Sequence, residues 1–132
     1  TRALIDTTWL LVDRDDPEGS LARLLPGDQI HFAAVELTCG SASDANVGRR
    51  SWEPNISDRA FSLGVYEVHG ETFGGIVFEV SRSGDVMTLV PRTAVKGAAD
   101  GTRFDYLEDQ GNRPHVRYRL LKPNKNQSNP AP

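Results

Sequence analysis

One cysteine, Cys39, stands in the 132 residues, so the chain can build neither an internal disulfide framework nor a cysteine-based zinc cluster. No run approaches the roughly 20 consecutive apolar residues that a membrane-spanning helix needs. Positive charge is not in excess: 15 Lys and Arg face 18 Asp and Glu, for a net charge of -3. Phosphate neutralisation supplies most of the affinity of general nucleic-acid binders, so no nucleic-acid partner is expected, and the lack of an apolar span leaves no membrane partner expected either. The three histidines, His31, His69 and His115, sit on separate segments without His-x-His or His-x-x-x-His spacing, and no metal site is indicated. Gly74-Gly75 lies inside a strand pattern with no helix after it, which is not a phosphate cradle; a bulge or a close backbone approach accounts for it. Cys39 has no neighbouring His or Asn to activate it. No cofactor is implied and no catalytic residue stands out. A lone cysteine and the lack of an apolar signal core lean the expected compartment toward the cytoplasm without fixing it.

What the sequence has instead is period-two alternation. Thr7 to Arg14 reads as a first strand, followed by one helical turn, Leu21 to Leu25, with Ser20 as its N-cap. Asp28 to Thr38 reads as a second strand. Gly40 to Asp58 reads as a long polar connection, and such loops in compact domains are usually functional or disordered. Ala60 to Val68, Thr72 to Arg82 and Asp85 to Val90 then form a meander with Gly-containing turns, followed by Thr102 to Leu107 and His115 to Leu121. That makes seven strands, or eight if Pro91 to Val95 continues one. The expected fold is all-β: a small closed antiparallel barrel, lipocalin-like or related, with a β-sandwich as the alternative. Residues 1–122 form the one barrel domain. Residues 123–132 hold three prolines and three asparagines without a large apolar residue, and are expected to be a disordered tail.

Two local resemblances accompany this reading. Asp13 to Phe32 (DRDDPEGSLARLLPGDQIHF) resembles a short segment of the 5-oxoprolinase and urea-amidolyase carboxyltransferase-like subunits, in which a Leu-Pro-Gly-Asp turn leads into a barrel strand. It covers about 20 of the 132 residues and carries no function with it. Trp9, near the start of the first strand, is similar to the tryptophan of lipocalin-like barrels, although the chain lacks their Gly-x-Trp motif.

Strand phase supplies the candidate site, because alternate residues share a face. Phe61, Leu63 and Val65 form an apolar row followed by Glu67. Ile30, Phe32 and Ala34 are followed by Glu36; Phe73, Gly75 and Val77 by Glu79; Ile76, Phe78 and Val80 by Arg82. Charges that end apolar rows would line the polar mouth of an apolar lumen, together with Tyr66 and Tyr118. The equally physical alternative is that each charge marks a strand end emerging into water. The function expected first is therefore a barrel that binds a small hydrophobic or amphipathic molecule through Glu36, Tyr66, Glu67, Glu79, Arg82 and Tyr118. One alternative is an enzyme on the same scaffold, using a carboxylate of raised pKa for isomerisation or cyclisation. Another is an inhibitor or immunity module that meets a protein partner through Arg49, Arg50 and Trp52 of the long loop. Arg103, Arg117 and Arg119 would form one positive patch if the last two strands paired, and a homodimer stays open.

Overall fold

The structure, a computed structural model, describes residues 4–17, 19–41, 43, 48–56, 61–106 and 114–122. Among these described residues nine strands and one helical turn follow one another: β1 (Thr7–Asp15), α1 (Ser20–Leu24), β2 (Gln29–Phe32), β3 (Glu36–Gly40), β4 (Gly48–Ile56), β5 (Phe61–His69), β6 (Thr72–Ser83), β7 (Val86–Ala98), β8 (Gly101–Tyr106) and β9 (His115–Lys122). All pairings are antiparallel, running in the order β6-β5-β4-β3-β2-β1-β9-β7, and β7 returns to β6. The sheet thus closes on itself as an eight-stranded barrel, and β8 is a ninth strand hung on one edge. Closure leaves a barrel, not the sandwich alternative. No helix is long and apolar enough to cross a membrane among the described residues. The expected tail, 123–132, lies outside the described residues.

Two details correct the sequence reading, and two more decide points it left open. The expected second strand breaks into β2 and β3, because the chain turns at Ala33–Val35 and the Ala33 amide bonds the Glu36 carbonyl at 2.8 Å. The expected long loop contains β4, whose alternation is hidden because an arginine, Arg50, faces inward beside Trp52. β7 runs on through Pro91, which sits at a bulge opposite Val77 and Phe78, where the ladder is interrupted anyway. β8 and β9 do not pair with each other: β9 takes Val86–Leu89 of β7, and β8 takes Thr93–Ala98. The three arginines therefore form no common patch; Arg103 pairs with Asp105, and Arg117 with Asp13.

The inner face is packed solid. Trp9, Phe32, Leu63, Val65, Phe78, Leu89 and Tyr118 are all fully buried in one cluster with Ile30, Leu37, Cys39, Met87 and Val116. Two arginine-rich closures seal the ends. At one end Arg82 lies over the Trp9 ring, 5.4 Å from its centroid, while the Trp9 indole donates to Thr7 Oγ1 at 2.8 Å. At the other, α1 drops Leu21, Leu24 and Leu25 into the barrel mouth. Asp16, rather than Ser20, caps α1: its carboxylate accepts from the amides of Leu21 (3.2 Å) and Ala22 (2.9 Å), while Gly19 takes the left-handed N-cap position at φ 75. Arg50 Nε donates to the Leu24 carbonyl at 2.8 Å and its Nη2 to that of Arg23 at 3.2 Å. Arg14 Nη2 donates to the carbonyls of Leu25 and Gly27, both at 3.2 Å. The loose end of a one-turn helix is thus bonded by two guanidinium groups of the barrel wall.

Burial leaves two acidic side chains reluctant to ionise. Cys39 is pushed up from 9.0 to about 11, first by desolvation, and Tyr118 is raised for the same leading reason. A raised folded-state pKa gives stability that is whole below the unfolded value and lost as pH rises through the folded one. Folding stability is therefore expected to hold to about pH 9 and to drop by about 2 kcal/mol at pH 11 through Cys39 alone. Urea midpoints at pH 8 and pH 11 check this, and Cys39→Ala should shrink the drop. Equal midpoints at the two pH values would contradict it.

Candidate functional site

The six side chains placed at the mouth of a lumen by strand phase do not converge. Tyr118 is in the core, and Arg82 covers Trp9 at the far rim. Glu67 does face inward at the α1 end, 2.9 Å from Arg50 and 3.3 Å from His69. Glu36 is exposed at the start of β3. Glu79 faces outward and is ion-paired to Arg92. Tyr66 also faces outward, in row with Ser51. Of the loop residues expected to meet a partner, Arg49 is exposed, but Arg50 is bonded to α1 and Trp52 is 6% exposed. The Trp52 indole donates inward to the carbonyls of Ala33 (2.8 Å) and Glu36 (3.1 Å). Among the described residues no group of His, Cys, Asp and Glu side chains is arranged to hold a metal ion.

A different site forms on the outside of the barrel, across β4 to β8. One outward row reads Ser51, Tyr66, Gly75, Val95, Phe104; the next reads Phe73, Gly97, Thr102. Each ring lies opposite a glycine of the neighbouring strand, Tyr66 on Gly75 and Phe73 on Gly97. The glycines are required there. A Cβ on Gly75 would run into the Val65 carbonyl and the Tyr66 ring, one on Gly97 into the Phe73 ring, and one on Gly64 into the Tyr66 hydroxyl. The rings consequently pack over the glycines and meet edge to face, centroids 6.0 Å apart at 87°. They cover Val95 so well that it is 4% exposed although it points away from the core, while Phe104 is 59% exposed on the added strand. Between them opens a cleft of about 350 Å³ lined also by Ser51, Trp52, Glu53 and Thr102.

The lining of this cleft is apolar with a few polar groups at its edge. Its apolar walls come from Tyr66, Phe73, Val95 and Phe104, and hydroxyls from Ser51 and Thr102 stand at its edge. The Tyr66 hydroxyl donates to Glu53 Oε1 at 3.2 Å, and Glu53 is the one charged lining group among the described residues. Burial first, then the charge of Glu53, pushes the Tyr66 phenol up from 10.0 to about 12. At neutral pH it therefore stays a donor and is a poor base. The barrel's thiol, Cys39, is fully buried, and its raised pKa keeps it from acting as a nucleophile. A second exterior cleft, of about 370 Å³, is lined by Glu79, Thr88, Val90, Arg92, His115 and Arg117. Glu79 and Arg92 neutralise each other there, and Arg117 is held by Asp13.

Sequence reasoning had Tyr66 from this cleft, and Trp52 in a different role, and missed Ser51, Glu53, Phe73, Val95, Thr102 and Phe104. A signal was present: Gly64-x-Tyr66 and Phe73-x-Gly75 place a glycine and an aromatic residue on the same face of consecutive strands. The glycine requirement gives a paired expectation. Gly75→Ala should cost about 2 kcal/mol, as overpacking against backbone does. Gly74→Ala, whose new Cβ would meet nothing nearer than the Val95 carbonyl at 3.6 Å, should be neutral or slightly stabilising. Urea denaturation of the two variants distinguishes them, and equal losses would contradict the close approach. Set against known proteins, the chain matches no family model, no curated protein and no solved structure.

Proposed function

We propose that this protein binds a small amphipathic molecule, neutral or cationic, in the aromatic cleft on the outer face of β4 to β8. The barrel fold is compatible with ligand binding. One observation carries the location: a glycine floor seats Tyr66 and Phe73 edge to face beside Phe104, around a ring-walled cleft of about 350 Å³. That volume and lining, apolar walls with a few convergent polar groups, are those of ordinary small-molecule sites. A flat apolar face would lie on the rings, and a hydroxyl or ammonium group would reach Glu53, Ser51 and Thr102. Glu53 disfavours anions, since among the described residues it is the only charged group lining the cleft.

Benzyl alcohol and phenethylamine are suitable probes, being alike in ring and differing in charge. Titrated against isotope-labelled protein, both are expected to give saturable shifts confined to Tyr66, Phe73, Val95 and Phe104. Phe73→Ala should weaken both by about tenfold, equivalent to about 1.4 kcal/mol. Glu53→Gln should weaken only the amine. Shifts centred on Trp9, Phe32 and Phe78, or no saturation at all, would overturn the assignment.

A further inference from the structure

The added strand β8 ends the sheet. One of its edges takes Thr93–Ala98 of β7, and among the described residues no strand takes the other. Gly101, Thr102, Arg103, Phe104 and Asp105 are all exposed. A bare strand edge offers a row of unpaired amides and carbonyls to a second strand, and proteins commonly guard such edges with charges that repel one. The charges on β8 do the reverse. Arg103 and Asp105 flank Phe104 in sequence, point to the face opposite its ring, and carry opposite signs.

That spacing is self-complementary. When two copies of β8 run antiparallel about a two-fold axis at Phe104, Arg103 of each stands opposite Asp105 of the other. Moving the axis to Arg103 or to Asp105 brings like charges face to face, and an in-register parallel pairing does the same. The Arg103–Asp105 pair along the strand, Nε to Oδ1 at 3.0 Å, becomes half of a square of four alternating charges. β7 adds a second reason. Lys96 stands directly opposite Arg103, so this column of the sheet already sets two like charges side by side. Asp105 of a second copy would end the column with the carboxylate it lacks. On the other face the Phe104 rings of the two copies come together, which covers part of a side chain that is 59% exposed in the single chain.

We propose that the protein forms a two-fold symmetric homodimer in which β8 pairs antiparallel with β8 of a second copy, centred on Phe104 and selected by the cross-pairs of Arg103 with Asp105. Phe104 also walls the outer cleft, so the two clefts of the dimer adjoin at the axis. The pairing itself does not depend on what the clefts bind.

Sedimentation velocity between about 5 and about 500 µM tests this, a span that covers the Kd of a small strand-addition interface. The wild type is expected to pass from monomer to dimer. Arg103→Asp and Asp105→Arg each make both cross-pairs like-charged, and each should weaken self-association by about tenfold or more. Both side chains are exposed, so each variant should fold and keep the wild-type Tm. Mixed together, the two single variants should form a heterodimer. The double variant, Arg103→Asp with Asp105→Arg, should recover wild-type self-association. A monomer at every concentration overturns the proposal. So does a dimer that the single charge reversals leave intact, and so does a loss that neither the mixture nor the double variant restores.

Discussion

Two arginines reaching from the barrel wall to the end of a one-turn helix are the constraint on which the rest of the molecule depends. A five-residue helix has no stability of its own in water, since nucleation outweighs the few bonds it makes. Here Asp16 satisfies its leading amides, and Arg14 and Arg50 satisfy four carbonyls at and beyond its other end. Held in that way, α1 lowers three leucines into the mouth, and burying each contributes about 1.5–3 kcal/mol. Placing guanidinium groups inside is costly, and Arg50 is 14% exposed. The carbonyls and the carboxylate of Glu67 offset that cost, which is why an inward arginine is tolerated on β4.

The sealed mouth has a consequence for recognition. With Trp9, Phe32, Phe78 and Tyr118 filling the middle, Arg82 over Trp9 at one end and α1 at the other, the interior is a packed core among the described residues. A rigid closed barrel then makes its outer surface the place where a shaped site can be held. The extra strand β8 widens the sheet there, and the glycines opposite Tyr66 and Phe73 turn a flat face into a cleft. The same substitutions of side chain by hydrogen that weaken a strand elsewhere serve here to seat aromatic rings.

Much of the fold was legible in the sequence. Alternation in Thr7–Arg14, Thr72–Arg82 and His115–Leu121 marks strands that the structure contains, and Gly-containing turns mark their hairpins. β4 was not legible, because Arg50 occupies an inward position for a tertiary reason, the carbonyls of α1, that no local pattern shows. Ser20 looked like the cap, yet Asp16, three residues before the N-cap Gly19, reaches the amides instead. The candidate site was read from charges that end apolar rows, and those charges are spread over both rims and both faces. Phase tells which residues share a face of one strand. Which strand lies beside which is a matter of register, and the cleft is a property of register: Phe104 joins it only because β8 pairs with the upper half of β7 rather than with β9.

The measurement that bears most directly on this account is native-state hydrogen exchange of the α1 amides. The Arg23 amide bonds the Gly19 carbonyl at 3.1 Å, and the Leu25 amide bonds that of Leu21 at 2.8 Å. If the helix is an integral part of the core, both should exchange only through global unfolding, with the same free energy as the amides of Leu63 and Leu89. Exchange of Arg23 and Leu25 through a local opening several kcal/mol below that value would show a mouth that opens on its own. The interior would then be accessible in the native state, and the assignment of recognition to the outer face would fall.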